Sequence, residues 1–189
     1  MAVPLLKSTK KLQVYSFEPS PNSLPYLLRT AQSSSVKSRW QVIGKAVGNA
    51  VGSIEFHLSN KKEGAFDGIR NTNRASNSGI VQVPMTTLDN EWIAIGSPKI
   101  SVIKIDVEGA EKMVLEGAKK CISMNRPSVL LEWNFSNLAA FNCNFEWLFL
   151  YAKNSEYTIY GIPGISPIDS AIALKAQMAL SESFLMLPD

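Results

Sequence analysis

Cysteine is scarce in this chain of 189 residues, which holds only Cys121 and Cys143. They have neither CxxC spacing nor metal-ligand neighbours, so they read as two reduced, largely buried thiols, not as a disulfide framework. Histidine occurs once, at His57, on the polar face of an alternating segment, where exposure without chemistry is expected. Long apolar runs are missing as well. No window approaches the ~18 apolar residues of a membrane span, and Met1 to Leu6 is too short for a signal peptide. A soluble, cytoplasmic protein is the expectation. The net charge is only +3, and the basic residues cluster no further than the pairs Lys10-Lys11, Lys61-Lys62 and Lys119-Lys120. No nucleic-acid partner is expected from so thin a distribution. Glycine is absent before Gly44, and no internal repeat is present.

What the chain does have is apolar content, 46% against 19% charged residues, enough to bury the core of a single domain over residues 1–189. Strands alternate with helices along it. Leu12 to Phe17 reads as a strand, Ser20 to Ala31 as a short helix with Leu24, Leu27, Leu28 and Ala31 on one stripe, and Trp40 to Val47 as a second strand. "GSIEFHLS" alternates strictly, with Ile54, Phe56 and Leu58 on one face. Gly48, Asn49 and Gly52 beside it suggest a hairpin with the preceding strand. Residues 60–79 are rich in Gly, Asn, Ser and charge, and read as a long polar loop, either a lid or binding loop that covers a substrate or a disordered segment. "VQVPMTTLDNEW" is a short strand followed by a helix that Asp89 is placed to cap.

The richest segment is "ISVIKIDVEGAEKMVLEGAKKCI". Ile100 to Ile105 reads as a buried strand ending on Asp106. From Gly109 the apolar residues recur at helical spacing, giving half of a βαβ unit. "PSVLLEWN" repeats the pattern, with a buried strand ending on Glu132. A helix over Asn144 to Lys153, strands at Tyr157 to Ile162 and Ser183 to Leu187, and a short Ala-rich helix between them complete the reading. Trp133 and Trp147 follow apolar spacing and are expected to pack.

Three carboxylates, Glu18, Asp106 and Glu132, stand at strand ends. In parallel α/β sheets that rim is where ligands bind. There they accept hydrogen bonds from hydroxyls or hold a cation. The plainer alternatives are a helix cap for Asp106, first-turn acids complementing the helix dipole for Glu108 and Glu111, and solvated or paired structural acids for Glu18 and Glu132.

"YSFEPSPNSLPYL", "KAVGNAVGSIEF", "VPMTTLD", "VIKIDVEGAEKMVLEGA" and "RPSVLLEWN", in that order, resemble the FkbM-type family of S-adenosylmethionine-dependent methyltransferases over Val14 to Pro188. The resemblance implies an α/β, Rossmann-like class I methyltransferase sheet, mostly parallel, with helices on both faces. It implies O-methylation of a hydroxyl on a small molecule, sugar or lipid, with S-adenosylmethionine as cofactor. By the same resemblance Glu18 with Pro19 would bind the ribose hydroxyls, backbone at Ala46 and Val47 would lie near the adenine, and Asp106 would stand near the methyl. Glu108 and Glu132 would line the acceptor side. No metal is required for such a transfer, although clustered acids can bind Mg²⁺.

The family pattern includes a first βα unit with a glycine-rich turn, and only Met1 to Phe17 precede Glu18. The expectation is therefore a sheet whose first βα unit is missing, a poorly structured segment at 1–11, and an unpaired central edge that favours self-association. It keeps two further readings in play: a catalytically idle remnant or interaction module, and a divalent-metal enzyme of phosphoryl transfer.

Overall fold

The computed structural model describes residues 2–59, 67–70 and 77–189, with side chains omitted at 77 and 78. Helix α1 (Ala2–Ser8) precedes strand β1 (Val14–Phe17), and α2 (Leu24–Ser33) leads to β2 (Trp40–Ile43). β1 and β2 pair in parallel, Val14 opposite Trp40 and Phe17 opposite Ile43. The segment expected to be poorly structured is thus helical. Its Leu6 is fully buried against Ala31, Val36 and Trp40, and burial of such a side chain contributes about 2 kcal/mol. Arg39 fixes this corner by donating to the carbonyls of Leu6, Thr9 and Leu12 at 2.6 to 3.0 Å.

The expected second strand is divided. After β2 the chain turns, and β3 (Ala46–Val47) joins a different sheet with β5 (Asn77–Thr86) and β4 (Gly52–Ser59), in the order β3-β5-β4. β4 therefore pairs antiparallel with β5 and not with the preceding strand, so the expected hairpin is replaced. The alternation in β4 explains the choice: Ile54, Phe56 and Leu58 bury one face against Val81 and Val83 of the long β5. Of the expected loop at 60–79, residues 60–66 and 71–76 lie outside the described residues. The described remainder comprises Asp67–Arg70 and the start of β5.

The third sheet has five strands in the order β6-β7-β10-β8-β9, with β6 (Val102–Ile105), β7 (Ser128–Glu132), β8 (Tyr157–Gly161), β9 (Ser166–Ile168) and β10 (Ser183–Pro188). β6 and β7 run parallel, whereas β10 pairs antiparallel with both β7 and β8, and β9 is antiparallel to β8. The α/β architecture is as expected, but its pairing is more mixed than a mostly parallel sheet. The helices are α3 (Leu88–Ala94), α4 (Glu111–Glu116), α5 (Lys119–Asn125), α6 (Phe135–Ala140), α7 (Glu146–Asn154) and α8 (Ala171–Met178). The largest core packs them on this sheet through Leu115, Val129, Leu131, Trp133, Leu148 and Phe184. Trp133 and Trp147 stack at 6.2 Å, as packing residues do.

Among the described residues, β1 pairs only with β2 and β6 only with β7. No ladder joins the β1–β2 pair to the edge of the five-stranded sheet among the described residues. This pairing also corrects the expectation of a buried strand ending on Asp106: Val102 is 56% exposed and, within β6, only Ile105 is buried, because β6 is an edge.

Candidate functional site

Two parallel strands bring the acids together. Ile105 lies opposite Leu131 in the β6–β7 ladder, so Asp106 and Glu132 follow side by side at the carboxyl end of the pair. The chain then turns sharply. Glu108 takes up the left-handed backbone (φ +52°), and Gly109 follows at φ +103°. A non-glycine residue in the left-handed region costs roughly 1–2 kcal/mol. Gly109 is required here for space as well, since a β-carbon would stand 2.6 Å from the Phe141 ring and 2.9 Å from the Asn137 carbonyl. This turn carries Glu108 back to the strand ends. One carboxylate oxygen from each of Asp106, Glu108 and Glu132 lies within 4.8 Å of the others.

The three acids differ in surroundings. Asp106 is exposed and pairs with Lys104. Glu108 is buried, with Asn137 Nδ2 donating to its Oε2 at 3.5 Å. Glu132 is half-buried. Beneath them lies Glu111, 1% exposed, whose Oε1 accepts from the amides of Gly109 at 3.2 Å and Val107 at 3.3 Å. Burial pushes its carboxyl up to about 7 against the opposing help of those amides, and the Glu108 charge adds to the rise. Glu111 is therefore a buried anchor of the turn, and not the exposed first-turn acid its position in sequence suggests.

Glu18 is set apart from this group, just beyond β1. Its amide donates to the Ile43 carbonyl at 3.0 Å, and its Oε1 accepts from Ser20 N at 2.8 Å across Pro19. Burial raises its pKa, the Ser20 amide lowers it, and neighbouring Asp67 raises it further. Asp67 is the residue that sequence reasoning missed. It accepts from Ser20 Oγ at 2.5 Å, from Asn22 Nδ2 at 3.3 Å, and from the amide and hydroxyl of Ser59 at 2.7 and 2.6 Å. The next residue, Gly68, exchanges backbone hydrogen bonds with His57 and packs on Glu108. The segment Asp67–Arg70 thus touches the Glu18 turn at one end and the acid turn at the other, and both strand ends face it. Aperiodic sequence gave no signal for this; a lone acid beside glycine was the only mark.

Ala46 is buried in β3 opposite Met85, Val47 is half-buried and packs on the main core, and Gly48 N donates to Thr86 O at 2.8 Å. Ala46 and Val47 lie close along the chain to Ile43, which holds the Glu18 amide.

Beyond Gly68 a cavity of about 500 Å³ is lined by Glu55, His57, Arg70, Gln82, Met113 and Phe141, among others. Arg70 sits over the Phe141 ring at 5.2 Å and donates to Ala140 O at 3.0 Å. His57, expected to be exposed and idle, is half-buried, and its Nδ1 is buried without a hydrogen-bond partner. Two walls of the cavity, Arg70 through Gly68 and Phe141 through Gly109, bear on the Glu108–Gly109 turn.

A family model described as the methyltransferase FkbM domain matches residues 3–157. The chain belongs to the FkbM methyltransferase family. The crystal structure of a methyltransferase FkbM from Methylobacillus flagellatus is similar in fold, with a TM-score of 0.55 at 16% identity over 97% of this chain. The chain spans 39% of that protein's length. No curated protein matches. For this FkbM-family chain the Rossmann-like fold is thereby established, and among the described residues no helix is long and apolar enough to cross a membrane.

The residues present fit S-adenosylmethionine at its ribose: Glu18 is a half-buried carboxylate with Oε1 held by one amide, leaving acceptor capacity for a diol. No glycine precedes Glu18 in the sequence given.

Proposed function

We propose that this chain binds S-adenosylmethionine and directs methyl transfer to a hydroxyl of a small-molecule, sugar or lipid acceptor. The observation that carries the reading is the convergence of Asp106, Glu108 and Glu132 at the carboxyl ends of β6 and β7, in a chain of the FkbM family. The cofactor supplies an electrophilic methyl when bound. Glu18 accepts hydrogen bonds from the ribose hydroxyls. Asp106 would orient the acceptor hydroxyl and receive its proton beside the cofactor that would supply the methyl. The cavity beside the acid turn suits a hydroxylated acceptor, with Glu55, His57 and Gln82 as hydrogen-bonding groups and Phe141 and Met113 as apolar surface.

A second reading, an interaction module that keeps the sheet without turning over cofactor, is favoured by the single-neighbour edges of β1 and β6. Calorimetry with S-adenosylmethionine separates the two. Submillimolar binding that weakens roughly 10- to 100-fold in Glu18→Ala, the loss expected for hydrogen bonds to a charged group, supports the enzyme. Absence of heat at millimolar cofactor supports the module.

A further inference from the structure

We propose that the cavity beside the acid turn is a subsite for a carboxylate, held by Arg70 and the backbone N–H of Glu55, and that the acceptor is therefore a hydroxy acid of sugar size or larger.

The outer edge of β4 is the first support. Ser59 and His57 turn their backbone N–H groups away from β5: Ser59 N donates to the Asp67 carboxylate at 2.7 Å, and His57 N to Gly68 O at 2.7 Å. Alternate residues of an antiparallel strand face the same edge, and the β4–β5 register is unbroken from Gly52 to Leu58. Glu55 N and O therefore face that edge too. The neighbouring segment stops short of them. Its bridge with β4 is confined to His57 and Gly68; Arg70, which would stand opposite Glu55 if the pairing went on, donates to Ala140 O instead. Glu55 lines the cavity, so its N–H opens on it. The same edge already holds one carboxylate, that of Asp67, on Ser59.

Arg70, on the wall of the same cavity, is the second support. Its guanidinium is held over the Phe141 ring at 5.2 Å and by one hydrogen bond, from Nη1 to Ala140 O at 3.0 Å. Arg39 directs its donors to three carbonyls, and Arg126 to two carbonyls and Glu156. Among the described residues no carboxylate pairs with Arg70, although Glu55 lines the same cavity. A guanidinium fixed at one nitrogen and open at the others suits a carboxylate.

The cavity volume of about 500 Å³ is that of a small-molecule site, and Ile69, Met113 and Phe141 supply apolar surface for a carbon skeleton. Phe141 lies against Gly109 and Gly68 against Glu108, so a ligand anchored at Arg70 has the acid turn beside it. The subsite stands on this geometry; only its use for the methyl acceptor rests on the methyl-transfer reading.

Titration of the full chain with glucuronate, glucose 6-phosphate and glucose, without S-adenosylmethionine, tests it by calorimetry and by amide NMR. Glucuronate is expected to bind at one site per chain and to shift the Glu55 amide, with glucose weaker by ~10-fold or more. Arg70→Met keeps the stem over Phe141 and weakens glucuronate roughly 10- to 100-fold, the loss expected for hydrogen bonds to a charged group. Arg29→Met, on α2, leaves it unchanged, and Glu55→Gln, which removes a like charge, tightens it. No binding at millimolar glucuronate, equal binding of glucose, or binding that survives Arg70→Met overturns the subsite. Tighter binding of glucose 6-phosphate through Arg70 overturns the carboxylate in favour of a phosphate. Glucuronate binding in a chain that gives no heat with S-adenosylmethionine keeps the subsite and removes the methyl-transfer reading; the reverse result removes the subsite alone.

Discussion

Gly68 rests against Glu108, close enough that a β-carbon on the glycine would stand 3.3 Å from the β-carbon of the glutamate. Its neighbour Asp67 holds the Ser20 turn after β1 and the end of β4 at the same time. This short bridge connects the candidate ribose acid with the acid turn.

Asp67→Ala leaves Ser20, Asn22 and Ser59 without their shared acceptor. A loss of about 2 kcal/mol is expected from hydrogen bonds to a charged group, read as a lower urea midpoint at unchanged slope. Asp67→Asn recovers part of it. In both variants the Glu18 pKa falls, since the Asp67 charge helps to raise it; carboxyl-labelled NMR titration reads that directly.

Asp89 belongs to a different helix from the one its sequence position suggests. Thr87 caps α3 by accepting from Asn90 N, while the Asp89 carboxylate accepts from the amides of Lys120 at 3.0 Å and Cys121 at 2.7 Å, in the first turn of α5. Asp89→Ala should destabilise the protein by ~1 kcal/mol, a typical cap loss. Asp89→Asn keeps one oxygen and should cost less, in the same denaturation experiment.

Glu111 sets a pH dependence of unusual sign. Its folded pKa, about 7, lies above the ordinary carboxyl value of 4.5, so the native state binds the extra proton between them. Stability from this group is full below 4.5, falls as pH rises to about 7, and is flat beyond. The total is about 3 kcal/mol from a shift of this size. Glu111→Gln keeps an acceptor for the Val107 and Gly109 amides and should abolish that fall. Urea midpoints from pH 5 to 8 in chelating buffer compare the two proteins; parallel curves refute a buried, neutral Glu111.

Local pattern was legible where one face is buried and the other wet. β4 was readable to its ends, because alternation of Ile54, Phe56 and Leu58 leaves little freedom of register. The acids at the ends of β6 and β7 were equally plain, since a strand that stops on a carboxylate marks its own rim. Pairing was harder. Trp40 to Val47 reads as one strand, but Glu18 N and Lys45 N both take the Ile43 carbonyl, and the chain leaves β2 there for another sheet. Asp67, Asn137 and the burial of Glu111 were hidden for a common reason: each gains its role from residues distant in sequence or from a backbone turn that composition does not reveal. Helix α6, only six residues long, is too short to display a period.

The separation of the β1–β2 pair from the five-stranded sheet has a consequence for how the molecule comes apart. Each has its own apolar cluster, Leu6 with Trp40 in one and Leu131 with Phe184 in the other, and no ladder joins them among the described residues. Such a body opens in subglobal steps rather than all at once. Amide hydrogens of β1 and β2 should exchange with deuterium through a low-energy opening that leaves β7 and β10 protected. Glu18 would then ride on the part of the protein that lets go first.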